Sequence, residues 1–332
     1  MTRRERTLRA IAHKETNIIP HNIDFTMGER DKMVQYYGDP NFEEKIDNHL
    51  QGLWYGESTE IRPGFVRDMF GVVWNRSGAD KDIGVIDDVL IPDADLSSYI
   101  FPTVNETAIR RGYEALLSDG KDTLKFGSIG FSMFERAWTL CGMENLLCNM
   151  VLEPTFVHQL LDEICECNLK MIDIGMSYDI DAFYFGDDWG QQKGLIMGEK
   201  LWREFIKPRM ARMYQRVKSK GKAVIQHSCG DIVTIFPDLI EIGLDVYQTF
   251  QPEIYNIVSV KKEFGKDLTF FGGISTQALL PYATPQEVES ETRRIMEIMG
   301  KGGGYIVAPT HAVPADVPAE NMDVLIKVFQ NQ

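Results

Sequence analysis

The run Val224-Ile225-Gln226-His227-Ser228-Cys229-Gly230-Asp231 holds the side chains best suited to chemistry in this chain. An apolar, strand-like stretch ends in His-Ser-Cys-Gly, and a helix-forming pattern follows at once. Residues two apart on a strand point to one face, so His227 and Cys229 are expected to address one pocket together. An imidazole beside a thiolate is a zinc-type donor pair. The competing reading is a satisfied histidine beside an inert thiol, because free cysteine is commonly buried. A second strand pattern, Gly302-Gly-Gly-Tyr-Ile-Val-Ala-Pro-Thr-His311, also ends in a histidine. If both ends meet at one barrel mouth, His227, Cys229 and His311 give three donors and an open position, the form of a catalytic zinc site.

Other strand ends carry polar and aromatic residues. After Ala182-Phe-Tyr-Phe185 comes Gly186-Asp187-Asp188-Trp189-Gly190. Asp187 and Asp188 could act as proton donor, base or metal ligand, or as a turn and a helix cap. Asp24, Met27, Phe131, Tyr184, Trp189 and Gln226 are the candidate substrate contacts, all within or just past apolar runs. Aromatics and methionines there suit an apolar, aryl-sized pocket, although such residues also pack helices onto a sheet.

These residues need a scaffold that brings strand ends together. Leu124–Ile129, Ala182–Phe185, Ala223–His227, Asp245–Thr249, Leu268–Gly272 and Tyr305–Ala308 read as strands, with helical patterns between them. Strands spaced by helices of that length form βαβ units and a parallel sheet. Up to about Leu53 the chain reads as helical, apart from a first strand over Ile18–Phe25. Phe70-Gly-Val-Val-Trp-Asn and Ile83-Gly-Val-Ile-Asp-Asp read as an inserted hairpin across the turn-rich Arg76–Asp82, within an insertion of about 65–100. No Gly-x-Gly-x-x-Gly follows the first strand, which disfavours an open doubly wound sheet. The expectation is one domain over 1–332, an α/β fold of the TIM-type (β/α)8 barrel kind, with seven strands evident and distortion allowed at the eighth.

Composition narrows the partners. A net charge of -14 and a pI near 5.0 argue against a nucleic-acid surface or an anionic membrane. No apolar run reaches the ~18 residues of a membrane span. Five cysteines, an odd number scattered through helix-like sequence, form no disulfide framework, so a reducing cytoplasm is expected. Cys165 and Cys167 fall in one long helical pattern, where residues two apart diverge around the axis.

Taken together, several motifs resemble the uroporphyrinogen decarboxylase superfamily, and within it the corrinoid-dependent methyltransferase branch. They are Thr2-Arg-Arg-Glu-Arg6, Leu140-Cys-Gly-Met-Glu-Asn-Leu-Leu147, Phe185-Gly-Asp-Asp-Trp-Gly190, Trp202-Arg-Glu-Phe-Ile-Lys-Pro208, His227-Ser-Cys-Gly230, and Ala308-Pro-Thr-His311 through Pro318-Ala-Glu-Asn321. The resemblance implies a TIM-type barrel with its site at the C-terminal mouth. The decarboxylases of this superfamily grip a tetra-acid substrate with an N-terminal Arg-Gln-Ala-Gly-Arg motif. Here the first strand runs instead into Asp24-Phe-Thr-Met-Gly-Glu-Arg30. Desolvating several carboxylates without arginines is costly, which disfavours porphyrinogen decarboxylation.

The zinc-dependent methyltransferases of the superfamily match His-x-Cys at His227 and Cys229, but commonly take a late cysteine as third ligand. This chain has Thr310-His311 near that place and no cysteine after Cys229. One thiolate with two neutral imidazoles leaves zinc more electrophilic, as suits polarising a leaving oxygen. The resemblance thus implies zinc, a corrinoid carried by a partner protein, and demethylation of a methyl ether of the methoxy-aromatic type, with the methyl group passed to cobalt(I) of the corrinoid. Transfer from a methyl-corrinoid to a thiol, decarboxylation, and a non-catalytic binding barrel are the alternatives.

Overall fold

Strands covered on both faces are built mainly from apolar residues, and the barrel strands of this chain are mostly so, with Lys125, Gln226 and Gln248 among the exceptions. The computed structural model describes residues 1–78 and 84–332. Seven strands form one sheet: β1 (Leu50–Trp54), β2 (Leu124–Ile129), β3 (Ala182–Gly186), β4 (Ala223–His227), β5 (Val246–Phe250), β6 (Thr269–Ile274) and β7 (Tyr305–Pro309). They are parallel and pair in chain order. β2, β3, β5, β6 and β7 are buried at every position. Alternation sorts their side chains into two cores. Leu50, Phe126, Tyr184, Ile225, Phe271 and Ile306 belong to one small cluster that fills the lumen, and a larger cluster packs the sheet against the helices.

β1 and β7 do not pair, and an irregular segment spans the gap between them. His21 bridges to Val307 and Phe25 to Val313, both in the parallel sense. On the other side the Asn48 side chain takes the place of a strand. Its Oδ1 accepts the Ile23 N–H and its Nδ2 donates to the Ile23 carbonyl, each at 2.9 Å. The expected strand over Ile18–Phe25 is therefore reduced to two bridges, and Pro20, which has no N–H to donate, lies within it. The first barrel strand is instead Leu50–Trp54, which the sequence reading left within mainly helical chain. Gly52 explains its weak pattern, because the Phe126 ring occupies the place of a side chain there: a Cβ would lie 2.1 Å from it.

The insertion is a four-stranded antiparallel sheet (Ser58–Arg62, Phe65–Asp68, Val73–Asn75, Val85–Ile86) rather than a lone hairpin. Part of the expected turn, and Ile83, lie outside the described residues. Arg136, on the helix Phe134–Cys141, docks this sheet through a 2.6 Å ion pair to Asp68 and a cation–π contact at 4.3 Å over Phe70. At the opposite end the helix Arg3–Ile11 begins with a Thr2/Glu5 capping box and anchors to β3 through Arg4–Asp181 at 2.6 Å. No helix among the described residues is long and apolar enough to cross a membrane.

Candidate metal centre

β4 ends at His227, and Cys229 follows two residues on. His311 lies two residues beyond the end of β7. The barrel's curvature brings these ends together: one donor atom from each of His227, Cys229 and His311 lies within 4.8 Å of the others. Cys229 Sγ is 3.5 Å from His227 Nε2. Donors around one tetrahedral zinc, at about 2.0–2.3 Å from the ion, lie roughly 3.3–3.8 Å apart. The set thus fits such an ion after small side-chain adjustment. His311 is exposed and the other two are half-buried, so one side of the site stays open to a ligand.

Local backbone builds this corner. Gly230 has φ +78, and a Cβ there would lie 2.2 Å from the Gly190 carbonyl carbon. The loop after β4 can therefore press against the loop after β3, and Asp231 N–H donates to the Gln191 carbonyl at 2.8 Å. Asp188 is held in that crossing. Its Oδ1 accepts the Cys229 N–H at 2.8 Å and sits 3.2 Å from His227 Nε2. On the far side of the ring, Gln248 Oε1 meets His227 Nδ1, and the Tyr184 hydroxyl donates to the same oxygen at 2.8 Å. Histidine ligands are commonly oriented by such partners on the second nitrogen.

Electrostatics follow the geometry. Burial opposes charging of His227, yet Tyr184, Asp188 and Cys229 outweigh it and raise its proton affinity well above the usual value. His311 is lowered, by burial and then by His227. Burial by itself would raise Asp188, but His227 and the Cys229 N–H hold it down at about 2. A metal entering this site must displace the His227 proton, so its affinity rises with pH.

The remaining predicted residues divide by location. Asp187 has no exposed surface and accepts the N–H groups of Met133 (3.3 Å), Phe134 (2.9 Å) and Glu135 (2.8 Å) together with Trp189 Nε1 (2.5 Å). It caps the helix Phe134–Cys141, one remove from the ligand triad. Trp189 is fully buried against Trp202, and Gln226 faces outward to the Tyr214 hydroxyl at 2.6 Å. Neither reaches the lumen. Met27 is exposed at the start of the helix Met27–Tyr37, and Phe131 packs on Trp74 of the insertion at 5.4 Å. Tyr184 and Asp24 do face the lumen, along one wall of a cavity of about 820 Å³. That cavity does not include the ligand triad in its lining but ends against Tyr184 and Gln248, which border His227.

Sequence reasoning missed Glu135 and Gln248. Burial pushes the Glu135 carboxyl up to about 8, with Asp188 and Asp187 adding to the rise. It sits in the first turn of the helix capped by Asp187, near enough to Asp188 and His227 to feel their charges. The Phe134-Glu-Arg-Ala sequence reads as an ordinary helix start, and only the fold sets it beside Asp188. Gln248 lies in β5 next to His227 in register, and that adjacency depends on strand order.

Comparison with known proteins agrees with this architecture. The family model for uroporphyrinogen decarboxylase (URO-D) matches residues 121–332. A uroporphyrinogen decarboxylase from Chlorobaculum tepidum is 23% identical over 252 residues, covering 72% of this chain and 69% of that protein. A methylated-thiol–coenzyme M methyltransferase from Methanosarcina mazei is 23% identical over 194 residues, 58% of this chain and 50% of that one. The chain thus spans only about half the length of that curated relative. Among solved structures, a methyltransferase from Methanosarcina mazei superposes with a TM-score of 0.76 at 16% identity, over 99% of this chain and 98% of its own. The chain belongs to the uroporphyrinogen decarboxylase (URO-D) family.

Proposed function

We propose that the protein is a zinc-dependent methyltransferase that cleaves a methyl ether, of the methoxy-aromatic type, and passes the methyl group to a cobalt(I) corrinoid on a partner protein. The observation that carries this reading is the donor set: one thiolate and two imidazoles, with one side open. Zinc held by His227, Cys229 and His311 would supply Lewis acidity to the ether oxygen. In the balanced reaction the methyl carbon–oxygen bond breaks and the methyl group leaves without its bonding pair. A reduced corrinoid on the partner would supply the electron pair that accepts it, while the oxygen keeps the pair of the broken carbon–oxygen bond and gains a proton.

The chain's own groups divide the work. Gln248 and Asp188 orient His227 and the Cys229 backbone. Glu135, protonated at neutral pH and within electrostatic reach of Asp188, would supply the proton, which is needed because a phenolate or alkoxide leaves poorly. Trp54, Phe126 and Tyr184 give the cavity aromatic walls suited to an aryl group. Asp187 serves by holding the Glu135 helix in place.

The methylated-thiol relative supports a second reading, methyl transfer to or from sulfur. Product analysis separates the two. The zinc-loaded protein, reduced cobalamin and a panel of methoxylated aromatics should yield methylcobalamin and free phenol. Consumption of a thiol with methylcobalamin, and no activity on ethers, would establish the sulfur reaction instead. If the purified protein holds no stoichiometric zinc, and His227→Ala with Cys229→Ser leaves methyl transfer intact, the metal reading fails.

A further inference from the structure

The cavity beside the metal centre has a charge that the ether chemistry does not use. Gly52 lets the Phe126 ring lie flat on the β1 backbone. Trp54 then meets Phe126 at 5.9 Å and Tyr184 at 4.9 Å, both edge-on, while Phe126 and Tyr184 stack at 5.6 Å. These three rings form one corner of the cavity wall, which Asp24 also lines. The backbone sets Asp24 near the mouth: its carbonyl accepts the N–H of Val313, two residues past His311, at 2.8 Å.

Asp24 has no cationic partner among the described residues, and its one side-chain hydrogen bond comes from Asn22 Nδ2 at 3.1 Å. The basic groups lining the same cavity do not supply one. Arg3 is paired with Asp47 at 2.9 Å and Asp122 at 2.6 Å, and Arg30 with Glu43 at 3.4 Å. Lys121 is exposed and makes no ion pair with Asp24. Asp24 is exposed to this cavity, and a carboxylate that lines a cavity without a counter-charge attracts a ligand that brings one. Aromatic faces beside it favour the same ligand, since ring quadrupoles attract organic cations.

We propose that Asp24 and the Trp54–Phe126–Tyr184 corner bind an ammonium group carried by the methyl donor, an inference that rests on the methyl-ether reading and names its substrate class. Tyr184 belongs both to this corner and, through Gln248, to the shell of His227. A donor seated here therefore has its cationic end at Asp24 and its ether end toward the ligand triad.

The test is a calorimetric titration of the full-length, zinc-loaded protein with three probes of similar shape. They are para-methoxyphenethylammonium, the neutral para-methoxyphenethyl alcohol and the anionic para-methoxyphenylacetate. The ammonium probe should bind roughly tenfold or more tightly than the alcohol, and the acetate more weakly than either. Asp24→Asn, close to isosteric, should erase that preference, and Trp54→Ala should reduce it while circular dichroism shows the fold intact. Equal binding of ammonium and alcohol, or a preference that survives Asp24→Asn, overturns the proposal, as does the absence of saturable binding. Methyl transfer from the same probes is measured separately. A charge preference without ether cleavage would sink the ether reading and leave the cation site standing, while cleavage without a charge preference would do the reverse.

Discussion

His227 shows how a side chain becomes a ligand by what surrounds it. One ring nitrogen meets Gln248 and the other faces Asp188 and Cys229, so the ring cannot swing away without breaking several contacts. Partners of this kind typically change metal affinity 10–100-fold when removed. Gln248→Ala and Asp188→Asn should each weaken zinc binding by about that factor, read by competition with a chromophoric chelator. Glu135 makes a separate prediction. Its carboxyl is pushed up to about 8, so a donor role is intact at pH 7 and is lost as pH rises through that value. Methyl transfer should then fall about tenfold per pH unit above it. Glu135→Gln should lower the rate by roughly 10²–10⁴ and flatten that alkaline limb.

At the scale of elements, the two aspartates after β3 have separate work although they are neighbours in sequence. Asp188 faces the ligands, whereas Asp187 caps the helix Phe134–Cys141 from within the core. Removing a charged, buried cap leaves its N–H donors unpaired. Asp187→Ala should cost about 2–4 kcal/mol in a denaturant titration. Zinc binding at neutral pH should survive, because no triad donor touches Asp187. A variant that kept full stability but lost activity would argue for a direct chemical role instead.

The whole barrel is closed by polar and titratable groups where an eighth strand would be. His21 and His49 are buried there edge to face at 4.5 Å, and Arg6 lies 2.8 Å from His49 Nε2. Burial, His21 and Arg6 together depress His49 to about 3, well below the value of an unfolded histidine. The stability this contributes is present above about pH 6.5 and is lost as pH falls through the folded value. Below pH 6.5 the protein should therefore lose about 1.4 kcal/mol per pH unit from this group, until about pH 3. His49→Gln should shallow that acid slope in thermal melts taken from pH 7 to pH 4.

Strand–helix alternation, the strand-end histidines and Cys229 could all be read from residue order, because apolar runs and their polar ends are local patterns. The Ile18–Phe25 and Leu50–Trp54 assignments went astray because both depend on neighbours: one segment is held by Asn48, and the other has Phe126 filling the place over Gly52. Asp187 and Asp188 were equivalent by spacing, and so were the aromatic candidates. Burial separated Asp187 and Trp189 from the site, and outward orientation did so for Gln226. Local chemistry thus specified which donors exist. Barrel closure decided which of them meet, because only strand order and register set His227 beside Gln248 and bring His311 within reach of both zinc-type donors.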